Sequence, residues 1–236
     1  MTSERTGTLY GLGVGPGDPE LLTLKAHRLI RQADVVAYPA PDNGESFARA
    51  IVADIIPDGA TEIPIVIPMR AERFPAQEVY TAAADRIGAA LRAGLDVVVL
   101  CEGDPFFYGS FMYLYARLAT DHPVQIVPGV SSLGAVTAAA ARPLVARTEV
   151  LTVVPATLSD AELEVQLARA DAAAIMKLGR NFARTRALLE RMGLAERAIF
   201  VAHASLPHQK VFPLSEAPDT APYFSMIVIP GRDVHV

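Results

Sequence analysis

An α/β fold is predicted by three features of this 236-residue chain. Short apolar runs of β type recur along it, alanine- and leucine-rich helical segments fall between them, and glycine-rich turns join several strand-to-helix pairs. The strands are expected near Thr8–Gly13, Asp34–Tyr38, Asp96–Cys101, Val124–Val127, Val150–Val154, Ala172–Lys177, Ala198–His203 and Phe224–Ile229. Several are apolar at consecutive positions, as in Val97-Val98-Val99-Leu100. Such runs fit strands covered on both faces, as in a mainly parallel sheet.

Helix signals lie between the strands. One helix is expected to begin at Asp18-Pro19-Glu20, with Asp18 as cap, Pro19 at the first helical position and Glu20 at the positive end of the dipole. Another begins at Ser159, with Glu162 three residues later as a capping box. A third ends near Ala93, where Gly94 suits a left-handed cap. Pro123, Pro128, Gly129, Gly134 and Pro143 crowd the stretch from Ala119 to Thr148, and the charge balance changes there. A boundary is therefore expected in this stretch, dividing the chain into residues 1–122 and 123–236, while length alone allows one large domain or two small ones.

Composition narrows the function. Apolar residues make up 51% of the chain, ample for buried cores. The net charge of −5 argues against a general nucleic-acid binder. Residues 1–120 hold 10 basic and 15 acidic side chains, whereas residues 121–236 hold 11 of each. A single cysteine, Cys101, excludes an internal disulfide and a multi-cysteine metal site, and suits a reducing compartment. Met1 to Thr6 is polar and carries no signal-peptide run, and no apolar stretch approaches the ~20 residues of a membrane helix. A cytoplasmic protein is expected, with neither membrane nor nucleic acid as partner and with no metal.

Three turns at strand ends carry the chemistry. The first, Gly11-Leu12-Gly13-Val14-Gly15-Pro16-Gly17-Asp18, lies where α/β proteins bind ligands. Its spacing misses the dinucleotide fingerprint, because the third glycine position falls on Pro16 or Asp18. No phosphate-loop lysine motif is present, and Asp18 at a helix start would repel a pyrophosphate. The second turn, Cys101-Glu102-Gly103-Asp104-Pro105-Phe106-Phe107-Tyr108-Gly109, combines carboxylates that accept ribose hydroxyls or an ammonium with aromatic faces that hold a base or a cation. The third is Pro128-Gly129-Val130-Ser131-Ser132, whose hydroxyls can cap a helix or bond a ligand. The plain alternative for each is a tight turn with no ligand. Together they suggest a nucleoside without a pyrophosphate, and S-adenosylmethionine fits that description. A nicotinamide oxidoreductase is disfavoured by the glycine spacing; a non-catalytic nucleoside- or tetrapyrrole-binding protein is the other alternative.

These residues resemble a known family. The string from Gly11 to Ala26 is similar to the N-terminal signature of the tetrapyrrole methylases, and Gly103-Asp104-Pro105 and Pro128-Gly129-Val130-Ser131 resemble its second and third signatures. Leu9-Tyr10-Gly11 and the segment from Cys101 to Tyr113 most resemble the branch that methylates the meso carbon-20 of precorrin-2 or cobalt-factor II in cobalamin biosynthesis. The branch acting on uroporphyrinogen-III is the alternative. The resemblance implies two α/β domains with the cofactor in the cleft between them, and a homodimer. It implies cofactor contacts at Pro16, Glu102, Gly103, Asp104, Phe107, Tyr108, Ser131, Ser132, Leu178, Ala204, Ser225 and Met226. S-adenosyl-L-methionine is the implied methyl donor and S-adenosyl-L-homocysteine the product.

A sulfonium-bound methyl is already electrophilic, so alignment is the main task, and neither a metal nor a covalent nucleophile is required. No HExxH, His/Cys cluster or nucleophile elbow occurs. His27, His122, His203, His208 and His235 show no ligand spacing and read as structural or exposed. No catalytic base is assigned. The implied substrate is rich in carboxylates, and Arg142, Arg147, Lys177, Arg180, Arg184 and Lys210 are the expected cations for it. The plain alternative for each is a solvated basic surface.

Overall fold

The computed structural model describes residues 5–67 and 75–232. Met1 and His235 lie outside them. The chain divides into two compact units, residues 1–131 and 132–236.

Among the described residues, the first unit holds five strands and four α-helices. In chain order they are β1 (Leu9–Gly13), α1 (Leu24–Ile30), β2 (Val35–Pro41), α2 (Phe47–Ile51), β3 (Thr61–Ile67), α3 (Pro75–Arg92), β4 (Val97–Cys101), α4 (Phe111–Leu118) and β5 (Val124–Val127). The sheet order is β3-β2-β4-β1-β5, with every pairing parallel. All five residues of β4 are buried, as its unbroken apolar run predicts. Alternation divides them between two layers: Val97, Val99 and Cys101 join Ile87, Leu91, Phe111 and Leu114 on one face. Val98 and Leu100 join Ala26, Ile30, Ala48 and Ile51 on the other. A bidentate Arg49–Glu62 pair, at 2.6 and 2.8 Å, ties α2 to β3.

Two expectations shift here. The domain division falls after Ser131 rather than after His122, because Val124–Val127 is hydrogen-bonded to β1 as the edge of this sheet. Asp18-Pro19-Glu20 does not open a full helix. Asp18 accepts the Glu20 amide at 2.8 Å and caps a single 3₁₀ turn, Pro19–Leu21. The chain then extends through Leu22, and Thr23 caps α1 by accepting the Ala26 amide at 3.1 Å.

The second unit contains α5 (Ser132–Ala139), β6 (Leu151–Pro155), α6 (Asp160–Ala168), β7 (Ala172–Met176), α7 (Phe182–Arg191), β8 (Ile199–Ala202), β9 (Lys210–Pro213) and β10 (Ser225–Ile229). Ser159 and Glu162 form the expected capping box on α6, and Gly94 follows α3 with φ 82°. The core of this unit gathers Val154, Leu163, Ile175, Phe182, Leu189, Phe200 and Ile227. Its sheet, in the order β6-β7-β10-β8-β9, is mixed rather than mainly parallel. Strand β10 runs antiparallel to both β7 and β8, and β9 is antiparallel to β8. The start of β10 therefore lies at the same sheet edge as the ends of β7 and β8. Among the described residues, no helix is long and apolar enough to cross a membrane.

Candidate functional site

In the first unit, the neighbours β4, β1 and β5 deliver the three signature turns to one sheet edge. The turns meet backbone to backbone. Gly15 and Gly103 exchange amides: Gly103 donates to the Gly15 carbonyl at 2.7 Å and Gly15 to the Gly103 carbonyl at 3.3 Å. The Val14 amide donates to the Cys101 carbonyl at 2.9 Å. A Cβ on Gly13 would stand 2.5 Å from the Gly103 oxygen and 2.5 Å from the Gly129 Cα. A Cβ on Gly129 would overlap the same Gly103 oxygen. The glycines at the three turns thus let three backbones touch, which no other residue permits without displacement. Gly11 has a different task. It lies in β1, where a Cβ would collide with the Phe111 ring.

Asp104 fastens this arrangement. One carboxylate oxygen accepts the Phe106 and Phe107 amides at 2.9 and 3.1 Å, and the other accepts the Gly129 amide at 3.1 Å. Its side chain ties the second turn to itself and to the third, so it positions rather than presents an open acceptor. Glu102 differs. It is half-buried, and no basic side chain among the described residues pairs with it. Burial pushes its carboxyl above the usual carboxylate range, only partly offset by a hydrogen bond from its own amide. Burial, with the neighbouring Glu102 charge, also raises the Cys101 thiol. Burial pushes the Tyr80 phenol up to about 12, against a hydrogen bond with Ser110.

Pro16 and Phe107 lie half-buried on this edge, and Tyr108 is 42% exposed with φ 58°. Ser131 closes the third turn, and Ser132 opens α5. Close-packed backbone with an unpaired carboxyl and aromatic faces, and among the described residues no cation paired with that carboxyl, fits a phosphate-free adenosyl group carrying an ammonium.

In the second unit, one sheet edge collects the remaining expected contacts. Ser225 pairs with Ala202, and Ala202 in turn with Lys210. Lys177, Leu178, His203 and Ala204 follow the ends of β7 and β8 at that edge. Leu178 and Met226 are buried there. The Ser225 hydroxyl donates to the Pro222 carbonyl at 2.6 Å.

The six expected substrate cations do not come together. Lys177, Arg180 and Lys210 belong to this edge. Arg184 is engaged internally, on the Asp160 carboxylate and the Ala156 and Leu158 carbonyls. Arg142 and Arg147 flank Leu144, whose carbonyl accepts the Gly231 amide beyond the far end of β10. They are therefore at the opposite end of the sheet. A cavity of about 730 Å³ opens at that end, lined by both signs of charge, including Glu149, Arg169, Asp171 and Arg197. Sequence reasoning missed His203 and His208. Their rings lie 4.5 Å apart at the edge that holds Lys210. They are five residues apart, which matches no ligand spacing, and only the turn between them brings them together.

Strand-end turns of this kind on two α/β units define a class of methylase, and the chain belongs to it. Residues 8–218 match the family model for Tetrapyrrole (Corrin/Porphyrin) Methylases. It is 40% identical to a Precorrin-2 C(20)-methyltransferase from a Sinorhizobium species, covering 98% of each chain. It is 44% identical over 95% of its length to the Cobalamin biosynthesis protein CobIJ of Mycobacterium tuberculosis, and spans 46% of that protein. The chain thus covers about half the length of the CobIJ relatives it matches. Among solved structures, Uroporphyrin-III C-methyl transferase from Thermus thermophilus complexed with S-adenyl homocysteine aligns at 27% identity with a TM-score of 0.67, covering 94% of this chain and 97% of that one.

Proposed function

We propose that this chain transfers a methyl group from S-adenosyl-L-methionine to the meso carbon-20 of precorrin-2, or of its cobalt-bearing counterpart, in cobalamin biosynthesis. The observation that carries this reading is the meeting of three glycine turns at the β4-β1-β5 edge. The near full-length similarity to a precorrin-2 C(20)-methyltransferase supports it. We further propose that the protein acts in the cytoplasm as a homodimer.

When bound, the donor supplies an electrophilic methyl on a sulfonium. The chain's own residues hold and orient. In the first unit the proposed contacts are Pro16, Glu102, Gly103, Phe107, Tyr108 and Ser131, with Asp104 locking the turns that carry them. In the second unit they are Leu178, Ala204, Ser225 and Met226. Ser132 contributes its hydroxyl at the start of α5. Glu102 in its ionised form accepts ribose hydroxyls or pairs with an ammonium. Holding the donor in line with the accepting carbon supplies up to roughly 7–11 kcal/mol in well-aligned reactions. Lys177, Arg180 and Lys210 are the proposed cations for the substrate's carboxylates.

The test is product analysis after incubation with precorrin-2 and donor labelled at the methyl. Mass spectrometry should show one added methyl, and NMR should place the label at carbon 20. A label on another carbon overturns the regiochemistry. Tight S-adenosylhomocysteine binding without transfer to any tetrapyrrole identifies a non-catalytic binder instead.

A further inference from the structure

The His203–His208 pair has no role in the reading above. His203 leaves β8 in the left-handed region, with φ 54°, and Ser205 follows at φ 70°. These are unfavourable conformations for side-chain-bearing residues, and they persist where surroundings enforce them. The loop is firmly built. The His203 amide donates to the Phe224 carbonyl at 2.8 Å, and the Leu206 amide returns to the His203 carbonyl at 3.0 Å. The Gln209 amide donates to the Leu206 carbonyl at 2.9 Å, and the Gln209 side chain accepts the Ser205 amide at 3.0 Å. The result holds two imidazoles with ring centroids 4.5 Å apart, tilted by 52°.

Lys210 opens β9 opposite Ala202, the residue before His203. His208 and Lys210 are the charged groups whose fields reach His203, and both act with burial to lower its pKa. From the other side β10 offers the Phe224 carbonyl and Ser225, and beyond it stands Lys177. No ion pair or hydrogen bond to a carboxylate engages His203, His208 or Lys210 among the described residues. The His203 Nδ1 is buried and takes no hydrogen bond there. Three nitrogen bases brought together with no acid among them repel one another when protonated, and an anion relieves that repulsion.

We propose that His203, His208 and Lys210 form a carboxylate-binding site that takes an acid arm of a polyanionic substrate with the imidazoles in their cationic form. This rests on the tetrapyrrole reading and adds a pH-dependent grip to it. A bound carboxylate favours the imidazolium, so the grip is strongest at low pH and weakens as pH rises through the imidazole range.

The experiment uses uroporphyrin III, an octacarboxylate tetrapyrrole, as an equilibrium probe beside its octamethyl ester, and precorrin-2 as the kinetic substrate. The proteins are the wild type, His208→Gln and the double variant His208→Gln/Lys210→Met. For the wild type, uroporphyrin Kd and precorrin-2 KM should rise from about pH 6 to about pH 8. Near pH 6 the double variant should bind uroporphyrin roughly tenfold more weakly than wild type, a gap that narrows as pH rises. Its S-adenosylhomocysteine affinity and Tm should stay close to wild type, showing that the fold persists. Equal uroporphyrin affinity for wild type and variant at every pH overturns the site, as does equal affinity for acid and ester. Failure of methyl transfer to precorrin-2 by the wild type overturns the proposed reaction instead. Pairing it with a loss of uroporphyrin binding in the variants keeps the carboxylate site.

Discussion

The two sheet edges that gather the proposed contacts are built on opposite plans. In the first unit the edge is made of backbone: Gly13, Gly103 and Gly129 press main chain against main chain, and where the turns touch the positive φ angles fall on Gly15 and Gly103, with Tyr108 the exception further along the second turn. In the second unit, Lys177, His203 and Ser205 occupy left-handed conformations with their side chains retained. For such residues that region costs about 1–2 kcal/mol each. On the proposed reading, the edge that admits the donor excludes side chains where its backbones touch, and the edge that brings charge to a polyanion keeps them and accepts the conformational penalty.

The sharpest way to break this contrast is Gly129→Ala. Its methyl would overlap the Gly103 carbonyl oxygen, so the turns must separate. We expect a loss of about 2–3 kcal/mol of stability and S-adenosylhomocysteine binding below detection by calorimetry. Next in size is Asp104→Ala, which strips the acceptor from the Phe106, Phe107 and Gly129 amides. Leaving partly buried donors unpaired costs about 1–3 kcal/mol, read as a fall in Tm with a parallel loss of cofactor affinity. Asp104→Asn, which retains one acceptor oxygen, should recover part of both.

Glu102→Gln sharpens the distinction between holding the fold and holding the ligand. Because burial raises the Glu102 pKa, folding favours the protonated acid. The ionised form is therefore a penalty, absent below the ordinary carboxylate range and fully present once pH exceeds the raised value. The variant should show a higher Tm than wild type at neutral pH, and the gain should vanish on acidification. Its affinity for S-adenosylhomocysteine should fall roughly tenfold, the loss of one charge-assisted bond. An unchanged Tm together with unchanged affinity would remove Glu102 from the site. The smallest effect is expected from Lys177→Gly. Relief of its φ of 58° should raise stability by about 1 kcal/mol, while KM for the tetrapyrrole increases.

Much of this was legible in the amino-acid order, and the exceptions have physical causes. The buried run of β4 and the Ser159 capping box are local signals, and both appear where the pattern puts them. The β3 strand escaped notice because Pro64 interrupts it. An edge strand tolerates a proline, and β3 pairs on one side only, with β2. The β9 strand is four residues long and mostly exposed. The direction of β10 depends on the path of the chain rather than on its own residues, so an apolar run such as Met226–Ile229 cannot announce that it lies antiparallel between β7 and β8. At the site, the turn glycines were readable as a request for close approach. That Asp104 would fasten turns together, and that Arg184 would be engaged with Asp160 and two carbonyls, are long-range outcomes with no signature in spacing.

The paired amides of Gly15 and Gly103 carry a kinetic consequence. Each residue is both donor and acceptor to the other, so neither amide reaches solvent unless the first two loops part in a single event. Their hydrogen–deuterium exchange should share one opening rate, and a ligand seated against either loop should slow both together.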